Sequence, residues 1–371
     1  MLEKLQPTIN HLINLQCDNE DSKVYGLVYR WGGIVRHGDP YPEITGYFMT
    51  SFCRLYDLTK NQEYLSKAKN AANSLISFQE KNGAIPTLID GKGNYEKVVH
   101  LFDLAIIARG ILDVYDRTLE LKYLDAAKKA ISFIEEIVMN QNVFSVVDFN
   151  LQPIKKYTFP ELFWINTKAI IPLYLLSFHV EENRKKELLA CAIHISNQLL
   201  RFQQSDGGFR LDINSPYNRT HYHAYAVYGI MHLYKWTADS TYLDVVKKGT
   251  DWLINCQDNN GGIFTYSAIN GSPEVTKGYD VPVSAQLAEL CCFFEQEKNI
   301  SEIDKDKYQA ARITAESFLV NIRYNCSYLK YLHGGLPFMT KESPKFFTVP
   351  WGELFWVNYI HDLNGKKNEQ I

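Results

Sequence analysis

Apolar and polar positions fall into two kinds of helix-length block along the chain. In the first kind, apolar residues recur every three to four positions, as in YLSKAKNAANSLISFQEKNGAI (64–85). This spacing is typical of an amphipathic helix with one buried side. The second kind is apolar nearly all round, as in THYHAYAVYGIMHLYKWT (220–237), and indicates a helix that is buried on several sides. The two kinds alternate, so we expect outer and inner helices of one assembly.

The amphipathic blocks are copies of one layout. Segments 64–85, 187–209 and 242–264 each contain a helix with small residues along one side, then a glutamine, then a polar turn ending in glycine. Weaker copies begin at residues 123 and 308. The copies lie roughly 60 residues apart, a spacing that suits a helical hairpin with a long loop. The chain is therefore predicted to be a repeat protein.

The number of blocks predicts how the repeats are arranged. Six inner blocks (45–59, 102–118, 166–180, 220–237, 280–296 and 351–363) alternate with five outer ones, and LEKLQPTINHLINL (2–15) supplies a sixth outer helix. An open array needs capping repeats, whereas a closed ring does not. We predict an all-α fold, an (α/α)6 toroid of six inner and six outer helices closed by the N-terminal helix. It is expected to form one domain over residues 1–371.

Composition narrows the classes of partner. The chain has 371 residues, 46% of them hydrophobic, and a net charge of -3 without a lysine or arginine cluster, which disfavours nucleic-acid binding. No export signal or run of about 20 apolar residues is present, so we expect a soluble cytoplasmic protein without a membrane span. The seven cysteines lack metal-ligand spacing and are expected to be reduced thiols. We expect neither a metal nor a cofactor.

The long loops are expected on one face of the ring. They connect outer to inner helices and therefore end where the inner helices begin, at backbone N–H groups that favour anions. These loops and helix starts carry the candidate site residues: Arg36, His37, Tyr41, Glu43, Tyr47, His100, Asp103, Glu161, Trp164, Arg219, His221, Tyr222, His223, Tyr279, Asp280, Trp351 and Glu353.

Helix capping is the competing interpretation of these residues. Acidic side chains stabilise helix N-termini, so capping alone can account for Glu43, Asp103 and Asp280. It does not account for the cationic groups, which oppose the helix dipole: Arg36, His37, Arg219, His221 and His223. These cations indicate an anionic ligand or a nearby carboxylate. His221 and His223 are two positions apart, which does not suit a zinc pair on one helix face.

The repeat and its loops resemble those of known α/α-toroid proteins. That group includes prenyltransferase β-subunits, terpene cyclases, N-acylglucosamine epimerases, unsaturated glucuronyl hydrolases, toroidal polysaccharide lyases and glucuronyl C5-epimerases. The stretch YPEITGYF (41–48) resembles the PE-[VT]-TGY signature of a poorly characterised family associated with surface-polysaccharide biosynthesis. The acid motifs of terpene cyclases and the zinc set of prenyltransferases are absent, which disfavours an isoprenoid role. The resemblance implies a glycan or oligosaccharide substrate.

Three functions remain open, of which we favour the first. It is proton abstraction at C5 of a uronic acid by an epimerase or lyase, with Arg36 or Arg219 neutralising the sugar carboxylate. The base and acid would then come from Tyr222, His221, His223 or Tyr47. The second is glycoside hydrolysis by two carboxylates from among Glu43, Asp103, Glu161, Asp280 and Glu353. The third is glycan binding without catalysis, by the aromatic residues Trp31, Tyr41, Trp164, Tyr217, Tyr279 and Trp351.

Overall fold

The computed structural model describes residues 2–140, 146–154, 164–210, 217–268, 278–341 and 346–368. Outer and inner α-helices alternate within these ranges. The outer helices are α1 (Leu2–Asn14), α3 (Gln62–Ser77), α5 (Leu121–Asn140), α7 (Glu182–Leu200), α9 (Ser240–Asn255) and α11 (Glu302–Ile322). The inner helices are α2 (Pro42–Thr59), α4 (Leu101–Thr118), α6 (Ile170–Leu176), α8 (Thr220–Thr237), α10 (Val281–Gln296) and α12 (Trp351–Asn368).

The inner helices form a closed ring. Each contacts the next one in chain order, and α12 contacts α2. Buried side chains occupy nearly all sides of α2, α4, α8 and α10, as their apolar sequences predict. The predicted (α/α)6 toroid is therefore confirmed.

The N-terminal helix closes the outer layer beside the last inner helix. Nδ1 of His11 in α1 lies 2.7 Å from Oε2 of Glu353 in α12, and both side chains are buried. The backbone of α1 also abuts Gly334, whose φ is +88°. A Cβ atom added there would lie 2.0 Å from the carbonyl oxygen of Pro7. Close backbone packing and a buried polar pair thus join the two ends of the chain.

The repeated glutamine and glycine join each hairpin to the next. Nε2 of Gln257 donates to the carbonyl oxygen of Ala311 at 3.0 Å, on the following outer helix. Gly261 has φ +92°, and a Cβ atom there would lie 2.0 Å from the carbonyl oxygen of Thr314. The same two contacts recur with Gln79 and Gly83, and with Gln203 and Gly207. The motif therefore sets the distance between neighbouring outer helices.

The third inner helix is shorter than predicted. The sequence predicts one helix over 166–180, but a 3₁₀-helix (Trp164–Ala169) precedes α6 and another (Ser177–His179) follows it. Pro172 explains the late start of α6, because a residue without an N–H group fits only the first turn of an α-helix. Among the described residues, this is the one inner helix built in three pieces.

Two short antiparallel strand pairs, which the sequence analysis did not predict, precede inner helices. Strand β1 (Val98–His100) pairs with β2 (Val146–Asp148), and β3 (Tyr217–Arg219) pairs with β4 (Tyr266–Ala268). Strands β1 and β3 end immediately before α4 and α8. Their pairing ties long loops together on the face where the inner helices begin. It also fixes His100 and Arg219 at the starts of those helices.

Two other expectations concern the chain as a whole. The seven cysteines are free thiols, and all are buried except the half-buried Cys326. Across the described ranges, no helix combines the length and apolar character needed to cross a membrane.

Candidate active site

The N-terminal ends of the inner helices surround a cavity of about 550 Å³. Its volume lies within the usual range for small-molecule sites. Eight of the predicted residues line it: Tyr41, Glu43, His100, Asp103, Arg219, His221, Tyr222 and Trp351. They come from the starts of four inner helices (α2, α4, α8 and α12) or the loops before them, so the fold gathers residues that are far apart in sequence.

His221 lies against a buried carboxylate. Its Nδ1 atom is 3.1 Å from Oδ1 of Asp280, which is fully buried behind the cavity wall. Asp280 precedes α10, yet its side chain forms no capping hydrogen bond there. A carboxylate can only accept, so it selects the tautomer of neutral His221 that carries hydrogen on Nδ1. Nε2 then keeps its lone pair and can serve as a base.

A carboxyl pair lies on α2 and α4. Glu43 accepts hydrogen bonds from Nε1 of Trp351 at 2.8 and 3.0 Å, and the hydroxyl of Tyr41 donates to Asp103 at 3.4 Å. Burial raises the pKa of Glu43 well above its usual range, and the nearby charge of Asp103 raises it further. Burial also raises the pKa of Asp103, although nearby His100 opposes this shift. The pair is therefore suited to hold and deliver a proton.

Two arginines supply positive charge to the cavity. Nη1 of Arg219 lies 3.3 Å from the hydroxyl of Tyr222, and its guanidinium lies 4.9 Å from the centre of that ring. The guanidinium of Arg30 lies 5.1 Å from the ring centre of Tyr41 and opposes the rise in the pKa of Glu43. A ligand carboxylate in this cavity would therefore meet two cationic side chains.

The floor of the cavity is aromatic. Tyr225 lines it, and the ammonium group of Lys168 lies beneath, 4.7 Å from the centre of that ring. Tyr47 is buried in the same layer, and burial raises its pKa well above the usual range. Burial shifts the pKa of Lys168 in the opposite direction, well below its usual range, because it disfavours the charged ammonium. Tyr47 therefore supports the floor. The expectation that Tyr47 lines the cavity is not met.

Two predicted residues are engaged in structural contacts instead. Nδ1 of His223 accepts from the backbone N–H of Phe209 at 3.2 Å, and Nε2 donates to the carbonyl oxygen of Gly249 at 2.9 Å. Burial lowers the pKa of His223 to about 4. Glu353 accepts from the backbone N–H of Leu336 at 2.9 Å and pairs with His11. The expectation that His223 and Glu353 face a ligand is therefore corrected.

Three further candidates lie away from the cavity, and two more belong to the part of the chain whose side chains are not described. Arg36 and His37 line a neighbouring cavity, and the hydroxyl of Tyr279 donates to Asp258 at the surface of another loop. Glu161 lies outside the described residues. Trp164 begins the 3₁₀-helix before α6, and its side chain is likewise outside the description.

Trp31, which was expected only as an aromatic that stacks on sugars, also lines the cavity. Seven residues of the cavity were missed at the sequence level: Arg30, Phe102, Ile165, Tyr225, Phe338, Phe347 and Val349. Tyr225 could have been found, because it follows His221 by one helical turn and so shares its face. Arg30 lies in the long loop between α1 and α2, before YPEITGYF (41–48). Whether its side chain reaches the cavity depends on the path of that loop. Within the described ranges, no three His, Cys, Asp or Glu side chains are grouped to hold a metal ion.

Comparisons with known proteins give a structural likeness only. No family model and no curated protein sequence matches the chain, so the resemblance of YPEITGYF rests on that motif alone. Among solved structures, cellobiose 2-epimerase from Bacillus thermoamylovorans B4167 has a TM-score of 0.75 at 14% identity, covering 98% of this chain and 100% of that one.

Two other solved structures are similar. A D-mannose isomerase has a TM-score of 0.77 at 13% identity and covers 98% of this chain and 97% of its own. An unsaturated glucuronyl hydrolase specific for heparin has a TM-score of 0.69 at 13% identity, covering 99% of this chain and 97% of its own. The chain thus shares the α/α-toroid fold of sugar epimerases, isomerases and glucuronyl hydrolases over nearly its whole length.

Proposed function

We propose that this chain is a carbohydrate-active enzyme that abstracts the C5 proton of a uronic acid in a glycan or oligosaccharide, as an epimerase or a lyase. The observation that carries the proposal is that His221, which contacts the buried Asp280, lines the same cavity as Glu43, whose pKa is raised by burial. A base and an acid on one cavity are what proton transfer at carbon requires.

The first step uses the neutral imidazole. Nε2 of His221 takes the C5 proton, and the electrons of the C–H bond move into the sugar carboxylate. The charge that develops on the carboxylate oxygens is stabilised by Arg219 or Arg30. Asp280 meanwhile stabilises the imidazolium that forms.

The second step uses Glu43 in its acid form. In an epimerase Glu43 delivers its proton to C5 from the opposite face, and the electrons return from the carboxylate to form the new C–H bond. In a lyase the electrons form a C4–C5 double bond, the C4–O bond breaks, and Glu43 protonates the leaving oxygen. Water then removes the proton from His221 and restores the one on Glu43.

The known proteins with this fold support the reaction class. Those named above are an epimerase, an isomerase and a glucuronyl hydrolase that act on sugars. The two arginines favour an acidic sugar over a neutral one. The likeness of YPEITGYF to a surface-polysaccharide family supports a role in surface-polysaccharide metabolism.

Glycoside hydrolysis is the second candidate, and one observation favours it. Glu43 and Asp103 lie on the same cavity, and the pKa of each is raised, as a general acid requires. In this mechanism one carboxyl protonates the glycosidic oxygen while the other acts on the sugar or on water.

Product analysis separates these functions. Uronic-acid oligosaccharides are incubated with the protein, and proton NMR spectra of the products are recorded. A C5 epimer or an unsaturated uronate supports the proposal. New reducing ends without either product support hydrolysis. Binding without any product, over several uronic-acid glycans, would leave a glycan-binding protein and overturn the enzymatic proposal.

A further inference from the structure

A second cavity lies beside the first one. It has a volume of about 430 Å³, and Trp31 lines both cavities. Because both cavities contact Trp31, they are adjacent, and the indole of Trp31 forms part of the partition between them. The reaction described above uses only groups in the first cavity and the Asp280 carboxylate behind it. The second cavity is therefore unexplained.

The loop that carries Trp31 has a defined geometry. The backbone N–H of Gly38 donates to the carbonyl oxygen of Trp31 at 3.0 Å. Gly32 and Thr348 exchange backbone hydrogen bonds of 3.1 and 2.9 Å, which hold the loop to the segment before α12. A Cβ atom on Gly38 would lie 2.4 Å from Nε1 of Trp31, so the indole packs directly on that backbone. The partition is therefore built into the fold.

The second cavity presents groups that recognise an acidic sugar. Arg36 is exposed, forms no ion pair with any described residue, and lies 5.7 Å from the ring centre of Trp31. His37 is oriented by a hydrogen bond of 2.9 Å to Gly38 and by stacking on Tyr29. Oδ1 of Asp39 accepts from the backbone N–H of Gly91 at 3.2 Å, which fixes a carboxylate that can accept from sugar hydroxyls.

We propose that this cavity binds a second sugar residue of the same glycan, whose carboxylate pairs with Arg36 across Trp31 from the reacting sugar. A guanidinium pairs with a carboxylate through two hydrogen bonds, which gives direction as well as charge. Asp39 and His37 bind the hydroxyl groups of that residue. The inference rests on the proposed function, because it takes the first cavity to hold the reacting uronic acid.

The test compares two glycan lengths. Binding of a single uronic acid and of a uronic-acid oligosaccharide of four residues is measured by titration calorimetry, without any need for turnover. The wild-type chain is expected to bind the longer glycan about tenfold more tightly, the effect of about one charge-assisted interaction. Arg36→Ala should abolish this gain. Arg201→Ala removes an equal charge from an exposed position outside both cavities and should keep it.

A second variant blocks the cavity by volume. A Cβ atom on Gly91 would meet only Asp39 Oδ1, at 3.6 Å, which is an ordinary van der Waals contact, so a side chain can begin there without a clash at its Cβ atom. Gly91→Tyr should narrow the cavity and also abolish the length dependence. Equal affinity for both lengths, or a gain that survives in both variants, would overturn the inference. A gain of the same size with neutral oligosaccharides would overturn the role of Arg36.

Failure of this inference is distinguishable from failure of the proposed function. Products formed without a length-dependent gain would leave the proposed function standing and remove the second sugar site. A length-dependent gain without products would leave the second sugar site standing and overturn the proposed function. Absence of binding at either length would overturn both.

Discussion

Nδ1 of His221 lies 3.1 Å from Oδ1 of Asp280, although 59 residues separate them in the sequence. The contact joins the first turn of α8 to the residue that precedes α10. At the sequence level, Asp280 could be explained as a helix cap. Its carboxylate instead contacts His221, which makes it a positioning group for an imidazole that lines the cavity.

The first prediction concerns this pair. Asp280→Asn should lower kcat about 10²- to 10⁴-fold, because an amide that donates to Nδ1 favours the tautomer without a free base on Nε2. Asp116→Asn is the matched control, since Asp116 contacts His179 at 2.8 Å outside the cavity. It should leave kcat within about twofold, the size of effect expected of a surface substitution. Equal losses in the two variants would contradict the role of Asp280.

The second prediction follows from the raised pKa of Glu43. The folded state holds this proton more tightly than the unfolded state, so the wild-type chain loses stability as pH rises from about 4.5 toward the folded pKa. Glu43→Gln lacks this proton and keeps an acceptor for Trp351. Urea unfolding at pH 5 and pH 8 should therefore show the variant gaining stability relative to the wild type at the higher pH. No change in the difference would contradict a buried acid.

The third prediction separates His223 from His221. His223→Asn leaves buried backbone groups of Phe209 and Gly249 without their partners, so unfolding free energy should fall by about 1–3 kcal/mol. The kcat of the folded variant should stay within about threefold of wild type, because His223 does not line the cavity. A loss as large as that of His221→Asn would show that His223 takes part in catalysis.

The same histidine predicts a dependence of stability on acid. Its folded pKa of about 4 lies below the unfolded value of 6.5, so the unfolded state binds the proton more readily between these values. The wild-type chain should lose stability as pH falls through this window, by up to about 3 kcal/mol from this group. The difference in stability between wild type and His223→Asn should therefore shrink from pH 7 to pH 4.

The fourth prediction tests how the ring closes. Gly334→Ala places a Cβ atom 2.0 Å from the backbone of α1 at a positive φ, so it should lower unfolding free energy by about 3 kcal/mol or more. Gly365→Ala is the control, because Gly365 lies in α12 with nothing within 4 Å of its added Cβ atom. It should be neutral or stabilise by up to about 1 kcal/mol. Thermal unfolding of both variants gives the comparison.

The ring could be predicted from the sequence because the repeated residues themselves form the contacts between neighbouring hairpins. Each glutamine and glycine of the motif contacts the next outer helix. The number of copies therefore predicts the number of hairpins in the ring. Helix starts likewise predicted which face holds the site. The shortened third inner helix was missed, because Pro172 does not reveal where a 3₁₀ segment replaces α-helical turns.

Side-chain direction was the part that sequence could not supply. His221 and His223 are about 200° apart around α8, so only one can face the cavity. An inner helix is buried on nearly all sides, and its apolar pattern therefore does not show which side faces the axis. For the same reason the sequence does not distinguish Glu43 from Glu353. In the structure Glu43 lines the cavity, whereas Glu353 pairs with His11.

The most direct measurement is hydrogen exchange at C5 of a uronic-acid oligosaccharide in D₂O. The wild-type chain is expected to place deuterium at C5 or to yield an unsaturated uronate, and His221→Asn should reduce either signal at least about 100-fold. If C5 keeps its proton in every product formed by the wild-type chain, or if His221→Asn reacts at the wild-type rate, then proton abstraction by His221 is contradicted.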